Sequence, residues 1–563
     1  MNQLNVPLSS AATRPVSILL LRILLFILSG SVLTNASGQS IDMKITHQFL
    51  NIPLGHQDRL KLVELKVNGK MKREFPVQLA LDSIDYWTYI DVSELKGQMV
   101  RLECPAPSSA LRRIYQADTI NGSDSLYKET NRPQFHFTVK RGWSNDINGP
   151  VFLNGQYHLF WQAFPFGLLW NTGFMYWGHA VSKDMLHWEE LAPALMLDSL
   201  GSPWSGTAVI DHNNNAGFGK GALVLFYTAF DRVSNKQVQC IAYSLDNGKT
   251  FQRYKGNPVI DSNWEMQTTH TRDPKVFWYE PAKHWVMVLF EKDGMSFYNS
   301  TDLRQWKKQS HFAGLHECPD FFELPVEGNT NNKKWVLHGG SSEYFIGAFD
   351  GKQFIPESDR LSYAQGQTGN KTEIKGDILY AAESFENMPD NRRVQIAWGR
   401  VYHDDMPFTQ MMLFPTEFVL KNTPDGLRLQ AKPIREIEQL HKNTRTWNDL
   451  TATTANRQFD SLKAMPAHLR MNLSIECGNT LQLMYQGNEL LALHADKERG
   501  DTMSIEILVD KTVAEIFIND GQQYIIRQLK PKRNDRSFEF NTERYGPAIQ
   551  KMQWSEMKSI WKQ

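Results

Sequence analysis

Three short stretches in the middle of the chain hold carboxylates whose surroundings could support catalysis. Asp146 lies in GWSNDINGP at the start of a strand-like run, Asp273 lies in TRDP, and Glu317 lies in HECPDFF. Glu317 stands between apolar runs, where an acid is costly to ionise, so we expect its pKa to rise. A raised pKa suits a general acid near neutral pH, and Asp146 is interpreted as a carboxylate exposed at the start of a strand.

Two carboxyl groups with unlike roles are what hydrolysis of a glycosidic bond requires. One protonates the leaving oxygen while the other attacks the anomeric carbon, and a retaining enzyme holds them about 5 to 5.5 Å apart. Arg272 and Asp273 could hold sugar hydroxyls by charge-assisted hydrogen bonds. Each stretch also has an ordinary structural interpretation, as a turn around Asp146 or a solvated ion pair at Arg272 and Asp273. A site exists only if the fold gathers these positions.

An internal repeat predicts how they are gathered. Ser-x-Asp turns closed by an aromatic residue begin at Ser182, Ser244 and Ser300, and a degenerate fourth copy surrounds Asp350. Roughly 50 residues make one four-stranded propeller blade, so residues 132–425 accommodate five blades. Blades converge on a central axis, and residues distant in the sequence can therefore meet at one end of it.

The flanking regions also read as β-structure. Period-two runs in residues 39–131 predict a small N-terminal β-domain, with 118–132 as a linker. Residues 426–563 predict a connection, at about 430–457, followed by a C-terminal β-sandwich. The expected fold class is all-β: a five-bladed β-propeller followed by a β-sandwich, with an extra small N-terminal β-domain.

The first 38 residues predict an export signal. Arg14 precedes an apolar stretch, and Ala36-Ser37-Gly38 supplies the small residues of a cleavage site. Arg22 interrupts the stretch, which is poor for a permanent span, although an uncleaved anchor stays open. The mature protein is expected to be periplasmic or extracellular, with no membrane span after cleavage.

The amino-acid composition limits the classes of molecule that the protein could bind. Lys plus Arg and Asp plus Glu both number 61, so the formal net charge is zero and no broad field favours nucleic acid or an anionic membrane. Aromatic residues make up 12% of the chain, which suits sugar binding, although composition alone favours ordinary β-sheet packing as the explanation. The oligomeric state is left undetermined.

Other reaction classes find little support. The four cysteines have no CxxC spacing, which argues against a zinc knuckle or redox pair, and they are expected to be free and mostly buried. No metal or organic cofactor is expected. Residues 339–343 lack the GxSxG spacing of a serine hydrolase.

The three acidic stretches, in this order, resemble glycoside hydrolase family 32, the β-fructofuranosidase family of invertases, inulinases and levanases. Its Trp-x-Asn-Asp-Pro-Asn-Gly pattern is similar to the sequence from Trp143 to Gly149, where Ile147 replaces the usual Pro. The resemblance implies that Asp146 is the nucleophile, Asp273 the transition-state stabiliser and Glu317 the acid/base.

Further positions follow from the same resemblance. It implies a five-bladed propeller with a C-terminal sandwich and a fructose-containing oligo- or polysaccharide substrate. The residues expected to bind this substrate are Trp143, Asn145, Gln162, Trp170, Ser205 and Arg272. The resemblance leaves levan, inulin and sucrose open, as well as endo against exo attack. Two rivals are a non-catalytic carbohydrate-binding propeller and a related five-bladed hydrolase acting on another glycan.

Overall fold

The computed structural model describes most of the chain after the predicted leader. The described residues are 39–56, 58–171, 173–262, 266, 268–367, 378–403, 405–462, 466–495, 501–530, 537–541 and 546–561. The predicted export signal, residues 1–38, lies outside these ranges. Across the described ranges strands dominate, and no helix there is both long and apolar enough to cross a bilayer.

The N-terminal region forms two antiparallel sheets around one hydrophobic core, with strand orders β1-β6-β3-β4 and β5-β2-β7. Its elements are β1 (Gln39–Lys44), β2 (Phe49–Leu54), β3 (Lys61–Val67), β4 (Lys70–Val77), β5 (Tyr86–Asp91), β6 (Met99–Cys104), α1 (Ser108–Leu111) and β7 (Tyr115–Ala117). Val63, Leu65 and Val67 alternate into the core, as the period-two pattern predicts.

The middle of the chain is a β-propeller, and its described strands form five blades. Blade 1 contains β8 (Gly142–Leu153), β9 (Gln156–Phe164), β10 (Tyr176–Ser182) and β11 (Trp188–Glu190). Blade 2 contains β12 (Ser202–Asp211), β13 (Ala222–Asp231), β14 (Lys236–Ser244) and β15 (Gln252–Arg253). Blade 3 contains β16 (Thr271–Tyr279), β17 (His284–Glu291), β18 (Gly294–Ser300) and β19 (Lys307–Ala313).

Blades 4 and 5 share one continuous sheet. Blade 4 contains β20 (Asp320–Val326), β21 (Asn329–His338), β22 (Glu343–Phe349) and β23 (Phe354–Pro356), followed by β24 (Leu361–Ser362) and β25 (Ala364–Gln367). The last blade is built from β26 (Leu379–Ser384), β27 (Val394–Gly399), β28 (Phe408–Thr409), β29 (Met411–Met412), β30 (Thr416–Thr423) and β31 (Gly426–Pro433). β28 pairs in parallel with β8 and so joins the last blade to the first.

The Ser-x-Asp repeat forms the same turn in the first three blades, between the third and fourth strands. The serine hydroxyl donates to the aspartate two residues later, at 3.0, 2.7 and 3.2 Å in chain order. The aspartate also accepts backbone N–H groups, as Asp302 does from Arg304 and Gln305 at 3.0 and 2.8 Å. Asp350 accepts in the same way in blade 4, so the repeat marked the blade period correctly.

The C-terminal region is the expected β-sandwich, and its two sheets share a hydrophobic core. Its elements are β32 (His441–Thr451), α2 (Ala452–Asp460), β33 (Ala467–Ile475), β34 (Thr480–Tyr485), β35 (Asn488–His494), β36 (Asp501–Val509), β37 (Val513–Ile518), β38 (Gln523–Gln528), β39 (Phe538–Asn541) and β40 (Ala548–Met557). The sheet orders are β25-β38-β37-β36-β33-β40-β32 and β35-β34-β39. The predicted fold class is confirmed; the domain boundaries stay predictions.

The expected connection at about 430–457 was wrong in part. It contains the end of β31, a 3₁₀ turn at Arg435–Leu440, all of β32 and the start of α2. β32 is an edge strand and mostly exposed, so its sequence lacks the apolar alternation that marks a strand packed on a core.

Sandwich and propeller are joined by a buried histidine. His136, just before β8, contacts Asp510 through Nδ1 at 2.9 Å and Glu515 through Nε2 at 2.8 Å. Tyr524 donates its hydroxyl to the other oxygen of Glu515. Burial lowers the pKa of His136, but the bonds with Asp510 and Glu515 outweigh burial and raise its pKa from 6.5 to about 9.

We therefore expect the stability of the protein to depend on pH through His136. The folded state holds this proton up to about pH 9 and the unfolded state only to 6.5. The stabilisation is complete below pH 6.5 and disappears as the pH rises through 9, a loss of roughly 3 kcal/mol. Urea unfolding across this range should show the decline, and His136→Gln should show a flatter one. Equal slopes would contradict the assignment.

Candidate active site

One cavity of about 360 Å³ collects residues from different blades, and its lining includes the three predicted acids. The lining residues are Asn145, Asp146, Gln162, Trp170, Met175, Trp204, Ser205, Gln237, His270, Arg272, Asp273, Glu317, Tyr380, Trp398 and Arg400. Asp146 comes from blade 1 and Asp273 from blade 3, and Glu317 immediately precedes blade 4. Blade geometry has brought together positions that are far apart in the chain.

Irregular strands present these side chains. The inner strands of blades 1, 2, 3 and 5 lose regular register between Ser144 and Ile147, Pro203 and Gly206, Arg272 and Lys275, and Tyr380 and Glu383. A bulge bends the strand and redirects a side chain; here the first three shifts contain Asp146, Ser205 and Asp273, and Tyr380 borders the fourth. Asp273, Glu317 and Cys318 also adopt positive φ angles of 62°, 27° and 45°. Such backbone strain in non-glycine residues is typical of functional sites.

Asp146 is held by a hydroxyl and faces a second carboxylate. Ser205 Oγ donates to Asp146 Oδ2 at 2.7 Å, and Cys318 Sγ lies 3.8 Å from the same oxygen. Burial and the nearby charge of Glu317 raise the pKa of Asp146, although the Ser205 and Asn145 hydrogen bonds oppose the rise. The cavity thus desolvates a carboxylate oriented by Ser205.

Asp273 is fixed from both sides. Its backbone N–H donates to Thr228 Oγ1 at 2.9 Å, and its Oδ2 accepts from the Cys318 N–H at 3.1 Å. Burial raises the pKa of Asp273 to about 7; the charge of Arg272 opposes this rise, and those of Glu317 and Asp146 reinforce it.

Glu317 is the most strongly bonded of the three acids. Arg272 donates to Glu317 Oε2 from Nε and from a terminal nitrogen, at 3.1 and 2.9 Å. Tyr380 donates its hydroxyl to Oε1 at 2.5 Å. Burial raises the pKa of Glu317, but the Arg272 charge and these hydrogen bonds outweigh burial, and the net pKa shift is downward. The expected upward shift was wrong for this arrangement because the sequence did not reveal the ion pair with Arg272.

The charge of each carboxyl group therefore affects the pKa of the others. We expect one of them to titrate near pH 7, and Asp273 is the group whose pKa is raised to about that value. Infrared difference spectra recorded across neutral pH should show a protonated-carboxyl band that appears on acidification. The band should be lost in Asp273→Asn and kept in Asp302→Asn, a substitution in an outer turn. Its persistence in Asp273→Asn would contradict this assignment.

The predicted binding residues are not all in the cavity. Gln162, Ser205, Asn145 and Arg272 line it, as does Trp170, whose side chain is 58% exposed at the rim. Trp143 is absent from the lining: it packs in the core shared with the N-terminal sheets and donates from Nε1 to Asn145 Oδ1 at 2.9 Å. Trp143 supports Asn145 and does not form a cavity wall, because the strand loses its regular alternation directly after Ser144.

Sequence reasoning missed several lining residues on blade 5. Tyr380 holds Glu317, and the Arg400 guanidinium lies 3.8 Å from the Tyr380 ring centre and 5.1 Å from that of Trp398. Arg400 also lowers the pKa of Asp146, which makes it a second cation in the cavity. Tyr380 and Trp398 stand singly in ordinary strands and Arg400 directly follows one, so no local signal marked them.

A second cavity, of about 430 Å³, lies elsewhere and holds none of the three acids. Trp278, Tyr279 and Trp285 line it. β16 runs from Arg272 and Asp273 at one cavity to Trp278 at the other, so the two cavities lie toward opposite ends of this strand.

Within the described ranges no group of three or more His, Cys, Asp or Glu side chains could hold a metal ion. Cys104, Cys240 and Cys318 are free and buried, as expected, and Cys477 is exposed.

Carboxylates converging with an arginine on a sugar-sized hollow, on a β-propeller followed by a β-sandwich, define a glycoside hydrolase. Residues 136–433 match the glycosyl hydrolases family 32 N-terminal domain. The chain belongs to glycosyl hydrolase family 32, which confirms the resemblance drawn from the motifs.

Two relatives and one solved structure are also similar to this chain. A levanase of Bacillus subtilis is 34% identical over 514 residues, which cover 80% of this chain and 74% of the levanase. An extracellular exo-inulinase of Aspergillus awamori is 35% identical over 355 residues, 54% of this chain and 65% of that protein. The crystal structure of exo-inulinase from Aspergillus awamori has a TM-score of 0.64 at 26% identity, and the match covers 77% of this chain and all of that one.

Proposed function

We propose that this protein is an exported, retaining hydrolase that releases fructose or fructo-oligosaccharides from β-fructans such as levan or inulin, or from sucrose-type substrates. The observation that carries the proposal is the meeting of Asp146, Asp273 and Glu317 in one cavity. The levanase and exo-inulinase relatives support a fructan substrate, and the extracellular relative supports export.

The first step is attack by Asp146 on the anomeric carbon of a fructosyl unit. Glu317 donates its proton to the departing oxygen, and the bond between this oxygen and the anomeric carbon breaks. A fructosyl-enzyme ester results. Ser205 keeps Asp146 oriented through its 2.7 Å hydrogen bond. Gln162, Asn145 and Trp170 contact the sugar.

The second step reverses these roles. Glu317 takes a proton from water, the water oxygen bonds to the anomeric carbon, and the ester to Asp146 breaks. Fructose leaves with its configuration retained. Asp273 accepts hydrogen bonds from ring hydroxyls and stabilises the positive charge that develops on the ring in both transition states.

Arg272 controls when Glu317 carries a proton. Arg272 donates a hydrogen bond to Glu317 and its charge lowers the pKa of that carboxyl group. A substrate hydroxyl that accepts from Arg272 weakens this pair, and the sugar displaces water, so the pKa of Glu317 rises as substrate binds. Glu317 therefore becomes a protonated general acid only when substrate is bound.

The deciding experiment is incubation of the purified protein with levan, inulin and sucrose, with the products separated by size. Fructose alone indicates attack at chain ends, and a ladder of oligosaccharides indicates internal attack.

Proton NMR of the first-formed fructose reports the stereochemistry of the reaction. Initial release of the β-anomer supports retention, and initial release of the α-anomer would contradict it. Binding of these glycans without any product would favour a non-catalytic carbohydrate-binding propeller instead.

A further inference from the structure

The cavity rim that carries Trp170 belongs to the connection between β9 and β10. This connection begins at Pro165, directly after β9, and its end supplies Met175, which lines the cavity as well. Trp170 is 58% exposed, so part of its indole faces outward from the cavity mouth. A saccharide that extends beyond the cavity meets this indole first.

The N-terminal β-domain holds this connection by hydrogen bonds. Gln78 donates its backbone N–H to the Phe166 carbonyl at 3.2 Å and accepts the Leu168 N–H on its side-chain oxygen at 3.2 Å. Thr88 donates its hydroxyl to the Pro165 carbonyl at 2.7 Å. Gln78 and Thr88 are both buried, where a lost partner is costly.

The side chain of Gln78 is itself anchored inside the N-terminal domain. Its amide nitrogen donates to the carbonyls of His56 and Asp58 at 3.1 and 3.2 Å. Gly167 lies against its oxygen, and a Cβ at this glycine would come within 2.8 Å of that atom. Both the nitrogen and the oxygen of the Gln78 side chain are therefore hydrogen-bonded, and these bonds fix its conformation.

Apolar packing and an ion pair complete the contact. Phe75 stacks on Phe166 with ring centres 4.6 Å apart, and one hydrophobic core contains residues of the N-terminal sheets together with Phe166, Met175 and the partly buried Trp204. Glu74 pairs with Arg232 of blade 2 at 3.0 Å. The family match begins only at residue 136, so these supports come from outside the matched domain.

We propose that the N-terminal β-domain is a specificity element: it fixes the rim with Trp170 so that its ring stacks on sugar units of a β-fructan chain that project from the cavity. Gln78 and Thr88 are positioning residues that act through Trp170. This proposal rests on the function proposed above. It predicts that the domain favours a polymeric fructan over sucrose, which is too short to need the rim.

Steady-state kinetics of the full-length protein on levan, inulin and sucrose tests this. Trp170→Ala should raise KM for whichever fructan the wild type hydrolyses by roughly tenfold, and the rise in KM for sucrose should be several-fold smaller. Gln78→Ala and Thr88→Val should raise KM in the same selective way. Thr88→Ser, which keeps the hydroxyl, should restore the wild-type value. Melting curves identify variants that lose stability.

A double-mutant cycle separates positioning from general damage. If Gln78 acts through Trp170, Gln78→Ala should add less than about twofold to KM in the Trp170→Ala background. Independent multiplication of the two effects, or an unchanged fructan KM in folded Gln78→Ala, would overturn the proposal.

Hydrogen exchange tests the support without any turnover. The backbone amides of Phe164 and of residues 166–170 should exchange faster in Gln78→Ala than in the wild type, and unchanged exchange would contradict the supporting role. Failure of the proposed function looks different, because the wild type would then release no product from any fructan or from sucrose.

Discussion

Asp146→Asn is expected to lower kcat by at least about 10⁴-fold on every substrate, with the fold intact. The amide has nearly the shape of the carboxylate and can still accept the hydrogen bond from Ser205 Oγ, but it cannot form the ester intermediate. Burial and the charge of Glu317 raise the pKa of Asp146, which means that its ionised form is less favourable in the cavity than in water. Removal of this charge should therefore leave Tm unchanged or raise it.

Initial rates and melting curves measured side by side check this expectation. Asp302→Asn is a matched control, because Asp302 accepts backbone N–H groups in an outer turn of blade 3. It should lower Tm and keep kcat, the opposite pattern. Asp146→Asn activity above about one percent of wild type, in protein freed of contaminating enzyme, would remove Asp146 as the nucleophile.

Glu317→Gln should have the second largest effect, and its size should depend on the leaving group. We expect kcat on a fructan to fall about 10³-fold, since the amide cannot protonate the departing oxygen. For an aryl fructoside whose phenol leaves without help, the formation of the ester should fall much less. Pre-steady-state release of the phenol measures this step directly.

The same variant should change the pH profile. The charge of Glu317 raises the pKa of Asp146, so its removal should move the acidic limb of kcat/KM to lower pH. Tyr380→Phe is a useful comparison, because it deletes one hydrogen bond to Glu317 and leaves the acid in place. Equal losses on good and poor leaving groups in Glu317→Gln would argue against the acid role.

Much of the fold could be predicted from the sequence, because strands and turns have characteristic patterns of neighbouring residues. The Ser-x-Asp turns recur in the first three blades and in degenerate form in the fourth, since each blade repeats the same four-stranded unit, and their spacing therefore gave the blade period correctly. Exposed β32 carried no such alternation and was mistaken for a connection. Short motifs likewise identified Asp146, Asp273 and Glu317, whose neighbours form turns and bulges that regular strands lack.

The amino-acid sequence by itself determined the all-β class, the blade period and the three acids, because each depends on residues close together in the chain. Only the tertiary structure decided that Arg272 holds Glu317 and lowers its pKa, that Tyr380 and Arg400 enter the cavity, and that Trp143 turns away from it. It also placed Gln78 under the rim that bears Trp170. Electrostatics and packing depend on distances between side chains, and those distances are set by how the blades and domains meet.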